Sequence, residues 1–510
     1  MRKPDIRTGP RHPRIAAAGY EITRRLSERA LASRGLHKVN GEFAQATIAS
    51  IRERLQRGET IYIAGLACPG THNTGVALVE VTQKDGPRLI VNNEEERFSG
   101  NKHTNEFPQH ALDDMRKVLR RMGRDIGDVA AFVTTWDYPA LLPMLIRTSL
   151  EEAPASIKLL RAPIAPAINL RQMDQVRRIS RRLGKMYGLG EQLPLICMPH
   201  HDNHAWYSFT ASPFADLRER VAIAVLDGTG DVGSISLYVA ENGEMKRLYC
   251  NESLFDSLGA FYTVISSSQG GWTWLSSEGR YMGAAAWGDM NRATNPYYQR
   301  LKAVLQLGPE GRVQLNRAMA NWFADPADNP YKQPLIDILG PPLRPDQLWN
   351  PDAVLRVEDI NHRPDTKDRV DKAAATQLVF EDAMIHVIDH LLRITGTDRL
   401  VLTGGVALNA LGNMRLLEHF DEAWFEQAQQ RKTRLHMWVP PVPGDPGVPI
   451  GAAWLIAHMA GAPRGAPLSH AFYCGLPPSN TDIAAALNAD DVASIVIGNV
   501  TTSEGRDAVA

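Results

Sequence analysis

Histidines and carboxylates placed at the ends of apolar runs are the residues of this chain best suited to chemistry. In Pro-His-His-Asp-Asn-His-Ala-Trp, His200 and His204 stand four positions apart. On a helix they share one face and can grip one cation, while His201 points elsewhere. A satisfied or surface histidine pair is the ordinary alternative, because fifteen histidines in 510 residues readily give that spacing by chance. In Ala-Val-Leu-Asp-Gly-Thr-Gly-Asp an apolar strand delivers Asp227 to a glycine-rich turn. Gly228 and Gly230 let backbone N–H groups approach phosphate oxygens, and a carboxylate at the strand end can hold a bridging metal. A plain Asp-Gly hairpin is the alternative. Leu-Val-Leu-Thr-Gly-Gly-Val-Ala-Leu-Asn repeats the arrangement, with Gly404 and Gly405 ending a strand and Asn409 in the first turn of a helix. Its free N–H groups suit a ligand, or the segment is simply a tight connection. Asp445 sits in the rigid loop Val-Pro-Gly-Asp-Pro-Gly before a helix, fit for a hard carboxylate ligand or for an ordinary turn. His72 falls between two strands. Glu95, Glu96, Arg97, Lys102 and His103 form a dense charged run, whose usual explanation is a solvated face. Trp272, Trp274 and Trp287 suit a cleft wall, although such residues more often fill a core.

The elements that must carry these residues fall into two similar series. Ile61 opens three short runs, IYIAGLA, GVALVEV and RLIVNNEEE, whose apolar, β-branched content and Gly, Asp and Pro punctuation predict antiparallel strands. A helix over Pro108–Met122 follows, with Ala111, Leu112, Met115, Val118 and Leu119 on one stripe. AAFVTTW and PLICMPH are two further buried strands. The pattern then restarts with RVAIAVLDG, SISLYVAE and MKRLYCNES, a helix over about residues 370–395, LVLTGG, a helix from Ala407, LHMWVPP and a closing helix in GAAWLIAHMA. Two successive β-β-β-α-β-α-β-α halves predict an α/β chain of the duplicated ribonuclease-H-like, actin-like ATPase type, with a cleft between its lobes. The expected divisions are a polar N-terminal extension over 1–60, a first half over 61–215, a second half over 216–465 and a C-terminal segment over 466–510. The extension carries one helix near 43–57 and reads as an arm that packs on the surface or frays. Residues 138–190 and 324–365 read as insertions shaping substrate access or serving as spacers.

Composition narrows the function classes. Apolar residues make up 44% and charged residues 22% of the chain, and the formal net charge is -1, so no global charge recruits nucleic acid or an anionic membrane. No apolar run approaches the roughly 18 residues of a membrane helix, and the basic start lacks a secretory signal's apolar segment. Cys68, Cys197, Cys250 and Cys474 lack metal-ligand spacing, which favours reduced, core thiols in a cytoplasmic protein.

The order of the motifs carries more than any one of them. His-Asn-Thr after the first strand, Glu-Glu-Arg-Phe with Lys-His five residues beyond the Arg, and Phe-Pro lead into His-His-x-x-His-Ala and Asp-Gly-x-Gly. Ser257-Leu258-Gly259 with Tyr262, Met282-Gly283, Gly-Gly-Val-Ala-Leu-Asn and Gly-Asp-x-Gly before Gly-Ala-Ala complete the series. This series, over roughly residues 61–480, resembles the NodU-type O-carbamoyltransferases, and the lobe is similar to one shared with tRNA threonylcarbamoyl-transferring enzymes. The resemblance implies that His200, His204, Asp227 and Asp445 ligate iron(II) or another divalent first-row metal. It also implies that His72 acts at the transfer step, assisting deprotonation or charge stabilisation, and that Gly228, Gly230, Gly404, Gly405 and Asn409 contact the nucleotide. It implies carbamoyl phosphate and ATP as the source of carbamoyl-adenylate, made in a YrdC-like domain, and a small natural product or sugar hydroxyl as acceptor. The Gly-Pro-Arg-Ala-Leu-Gly signature of that domain is absent, so a separate YrdC-like protein is the expected activating partner. Arg280 stands where the family usually has Lys, and His72 is followed by Asn-Thr where Asp is common. A non-catalytic nucleotide-binding subunit and a tRNA threonylcarbamoyl transferase are the competing readings. Metal analysis separates the first, and a tRNA gel shift the second.

Overall fold

The computed structural model describes residues 5–68, 72–160, 169–215, 218–322, 325, 329–343, 357–360, 362–466, 468 and 480–489. Continuous apolar runs become strands buried on both faces, as expected where helices cover a sheet. The first sheet contains β1 (Leu36–Lys38), β2 (Ile61–Ala67), β3 (Gly75–Thr82), β4 (Gly86–Glu94), β5 (Val129–Thr134) and β6 (Leu195–Cys197). Its order is β1-β6-β5-β2-β3-β4; β2, β3 and β4 form an antiparallel meander, and β5, β6 and β1 continue from β2 in parallel. The second sheet contains β7 (Val221–Leu226), β8 (Ile235–Glu241), β9 (Glu244–Cys250), β12 (Arg399–Thr403) and β13 (His436–Trp438). Its order, β13-β12-β7-β8-β9, has the same directions. Between these strands β10 (Leu305–Leu307) and β11 (Val313–Leu315) form a small antiparallel ribbon. Setting β1 aside, each sheet has its first three strands antiparallel and its last two parallel to the first. That is the duplicated ribonuclease-H-like arrangement, the α/β fold expected from the sequence.

Residues 13–56 behave differently from an arm. β1 extends the first sheet, and the helix Glu42–Gln56 buries Ala44, Ile48, Ile51 and Leu55 at helical spacing. A further helix, Pro13–Ala32, precedes them. Leu-His-Lys is too short to show a strand period, which is why the sequence pattern missed it. The stripe expected on the helix after β4 is found on Gln109–Arg121, with the five named residues buried. The helix expected from Ala407 begins at Ala410, after a short 3-10 turn over Gly405–Leu408.

Residues 474–510 form a second compact unit, of which the helix Asn480–Ala489 is described. Cys474, residues 161–168 and 344–356 of the expected insertions, and most of the expected C-terminal segment lie outside the described residues.

Two helices position the site. The helix Val448–Met459 closes the second half yet packs on the first sheet, where Ile450, Trp454 and Ile456 join Ile61, Ile63 and Val79 in one core cluster. The helix His200–Ala211 follows β6 of the first half, and its Ala205 and Phe209 pack against Val221, Ile223, Val225 and Val401 of the second sheet. Each half therefore lends its last helix to the other. Burying a large apolar side chain is worth about 1.5–3 kcal/mol, so this exchange ties the lobes together at the cleft.

Candidate metal centre

The residues singled out by chemistry follow the carboxyl ends of strands, where ligands of open α/β sheets bind. Asp227 follows β7, the His200–Ala211 helix follows β6, and Asp445 follows β13 at the head of the Val448–Met459 helix. His72 follows β2, the counterpart of β7 in the other half. Duplication and helix exchange thus bring residues from distant sequence positions to one point.

His200, His204, Asp227 and Asp445 are buried, and one ligand atom from each lies within 4.8 Å of the others. Nε2 of His200 is 3.3 Å from Asp227 Oδ2 and 3.4 Å from Asp445 Oδ1, and Nε2 of His204 is 3.2 and 3.5 Å from the same atoms. Two atoms each bonded at about 2.1 Å to one first-row ion, at roughly 90–109°, stand about 3.0–3.4 Å apart. Both Nε2 atoms and Asp227 Oδ2 have no hydrogen-bond partner among the described residues. Buried polar atoms left this way are costly, and these converge on one point. The donor set therefore fits a divalent first-row ion.

The surroundings aim the ligands. His200 Nδ1 donates to the Thr135 carbonyl at 3.0 Å, so Nε2 is the nitrogen turned toward the cluster. Trp136 stacks on the same ring with centroids 3.9 Å apart. Asp227 Oδ1 accepts from the N–H groups of Gly228 and Gly405 at 2.7 and 3.1 Å, which turns Oδ2 to the histidines. Burial alone would push the His200 and His204 imidazoles down; Asp445 and Asp227 outweigh it and hold both above the ordinary histidine range. Against the same burial, the neighbouring histidines hold Asp227 and Asp445 below the usual carboxylate range. His201 turns away, its Nδ1 2.8 Å from Ser236 Oγ on the second sheet.

A cleft of about 410 Å³ opens on the cluster, bordered by His72, His103, Trp136, Tyr262, Trp274 and Leu408 among others. His72 Nε2 lies 3.6 Å from Asp445 Oδ2. Of the glycines expected to face a nucleotide, Gly228 and Gly405 border the cleft. Gly230 and Gly404 are absent from its wall. A Cβ on Gly230 would meet the His201 ring at 2.6 Å, and one on Gly404 would meet the Leu226 carbonyl at 2.2 Å, so both serve close packing. Asn409 borders the cleft, but its amide pairs reciprocally with Gln377 at 2.9 and 3.0 Å, and its Oδ1 caps Gly412 N. Trp274 lines the cleft, Trp272 lies under the Arg280 guanidinium and Trp287 is exposed.

Two contributions escaped the sequence reading. Asp231, next in the Asp227 turn, accepts the backbone N–H of Asp137 at 2.8 Å and also that of His200, so one buried carboxylate caps the histidine-bearing helix from the other half. Glu95 is not solvated: it is buried and accepts from the N–H groups of His110 and Ala111 at the head of the Gln109–Arg121 helix. Asp231 directly follows the Gly228-Thr229-Gly230 turn, a signal that could have marked it; Glu95 stands fourteen residues before the helix it caps, and no local pattern points to that pairing.

Strand order gives the chain the duplicated ribonuclease-H-like fold, the architecture of actin-like ATPases. A family model described as "Carbamoyltransferase N-terminus" matches residues 63–454, and the chain belongs to that family. It is 27% identical over 394 residues to an uncharacterized protein of Synechocystis, covering 76% of this chain and 56% of that protein. It is 25% identical over 405 residues to the nodulation protein NolNO of Sinorhizobium fredii, covering 77% and 49%. The chain thus spans about half the length of the curated relatives it matches. The solved structure of HypF from T. kodakarensis is similar at 13% identity and a TM-score of 0.34, covering 79% of this chain and 48% of that one; the fold assignment rests on strand order, not on that likeness.

Proposed function

We propose that this chain transfers a carbamoyl group from carbamoyl-adenylate to a hydroxyl of a small natural product or sugar. The adenylate comes from carbamoyl phosphate and ATP through a YrdC-like activating protein. The single observation that carries the reading is the convergence of His200, His204, Asp227 and Asp445 beside the cleft that Asp227 and Asp445 border, in a chain of the carbamoyltransferase family.

These four residues would hold an iron(II) or similar ion, which when bound would supply Lewis-acid charge toward an anionic donor. The protein does the rest. Gly228 and Gly405, both on the cleft wall, give the donor close approach to backbone, and Asp227 keeps their loops in register by accepting both N–H groups. His72, beside Asp445, is placed to stabilise negative charge that develops on the donor during transfer. Trp136, Trp274 and Leu408 give the cleft an apolar wall against which an acceptor can pack. Alcohols are poor nucleophiles, so holding one against an activated mixed anhydride supplies much of the rate.

The test supplies purified chain, a YrdC-like protein, ATP, a divalent metal and radiolabelled carbamoyl phosphate to a panel of sugars and hydroxylated natural products. A labelled acceptor is expected, and His200→Ala should cut its formation by at least about 100-fold. A His200→Ala chain that transfers at the original rate would rule the site out.

A further inference from the structure

Asn73 lies between two imidazoles and two carboxylates, and the carboxylates decide what the imidazoles can do. An amide's oxygen and nitrogen are told apart by their partners. Asn73 Nδ2 faces Glu94 Oε2 at 3.3 Å and Glu96 Oε2 at 3.5 Å. Ionised carboxylates only accept, so the amide nitrogen must be on their side. Oδ1 is then fixed on the other side, where it lies 2.7 Å from His72 Nδ1 and 3.2 Å from His103 Nδ1. A carbonyl oxygen also only accepts. His103 therefore carries a proton on Nδ1, and a neutral ring of that tautomer has its lone pair on Nε2.

The local backbone is built for this contact. Asn73 and His103 both have left-handed backbone angles, φ 55° and 53°, a region Asn and His enter more readily than most residues. Glu96 Oε2 also accepts the His103 backbone N–H at 2.7 Å, fixing the second histidine to the same carboxylate that orients the amide. Asn73 itself is buried. The two rings then differ in what Nε2 meets. His72 directs it at Asp445 Oδ2, 3.6 Å away, which commits that ring to the metal cluster. His103 borders the same cleft and is not a member of that cluster.

We infer that Asn73 is a positioning residue that sets the tautomer of His103, and that His103 is the proton acceptor for the incoming hydroxyl. The second half of this inference rests on the carbamoyl-transfer reading. In that step the hydroxyl proton passes to His103 Nε2 as the acceptor oxygen bonds to the carbamoyl carbon. The bond from that carbon to the donor phosphate oxygen breaks, and its electron pair leaves with the phosphate.

The tautomer is read without turnover, from imidazole nitrogen shifts of the full chain carrying 15N-histidine, with His103 assigned by loss of its signals in His103→Gln. The expected spectrum has His103 protonated at Nδ1 and unprotonated at Nε2, and Asn73→Leu should shift its proton toward Nε2. Wild-type His103 carrying its proton on Nε2 would overturn the assignment even if Asn73→Leu does not fold, as would an unchanged tautomer in a folded Asn73→Leu chain. In the transfer assay His103→Gln should lower kcat by about 100-fold with its bound metal retained. An unchanged kcat removes His103 as proton acceptor while the metal centre stands. If the wild-type chain labels nothing, the proposed function falls with that role, and the spectrum still decides for Asn73.

Discussion

At the scale of single residues, the proposed metal centre consists of groups that need one another in specific orientations. Trp136 and the Thr135 carbonyl fix the ring of His200 from two directions. Removing the first should loosen the ligand without deleting it. Trp136→Ala is expected to weaken metal binding by about 10-fold or more, measured by competition with a chelating dye, and to cost about 3–5 kcal/mol of stability in urea unfolding. Unchanged affinity would mean that the stack has no part in aiming His200. Deleting a ligand is more severe: His204→Ala leaves Asp227 and Asp445 facing one fewer partner. It should abolish stoichiometric metal retention through a desalting column while far-ultraviolet circular dichroism stays the same.

At the scale of elements, the ligands depend on two exchanged helices, and that dependence can be tested away from the site. A Cβ on Gly65 of β2 would lie 1.8 Å from the Pro449 carbonyl, in the first turn of the helix whose preceding loop carries Asp445. Gly65→Ala must displace that turn, at a cost of about 1–3 kcal/mol or more. The expected outcome is weaker metal binding from a residue that touches no ligand; loss of stability with metal affinity intact would contradict it. Much at this scale was legible in the sequence. The long apolar runs of β2, β3, β7 and β8 declared themselves because strands buried on both faces tolerate few polar residues. β1 did not, since three residues show no period and its pairing with β6 spans more than a hundred positions. The same limit governs the site. His200 and His204 announce a shared helical face, but nothing local says that Asp445 meets them; that came from resemblance and motif order. Gly230 and Gly404 were read as ligand-facing because a glycine required for close packing looks the same in sequence as one required by a phosphate.

At the scale of the whole molecule, both lobes contribute to the cluster, so its occupancy should bear on global stability. A metal that binds only the folded chain stabilises it by about 2.7 kcal/mol at 100 times its Kd, so Tm should rise with metal concentration in the wild type and not in His200→Ala. A second link between the halves lies elsewhere. Arg317, beyond β11, is buried against Glu151 at 3.4 Å and Glu152 at 3.8 Å, and Glu152 also takes Arg7 of the N-terminal segment at 2.7 Å. Arg317→Ala removes the buried partner that Glu151 and Glu152 share, leaving Glu152 with Arg7 and Glu151 with Arg147 at 3.8 Å, and should cost about 1–3 kcal/mol in urea unfolding; a loss below about 0.5 kcal/mol would contradict a buried link. The account as a whole stands on one cation shared by four side chains. Anomalous scattering at the iron edge, from crystals of the chain reconstituted with iron(II) under anaerobic conditions, tests that directly. The account predicts one peak at bonding distance from both Nε2 atoms and from a carboxylate oxygen of Asp227 and of Asp445. A fully reconstituted crystal with no peak there, or with its iron bound elsewhere, would contradict it.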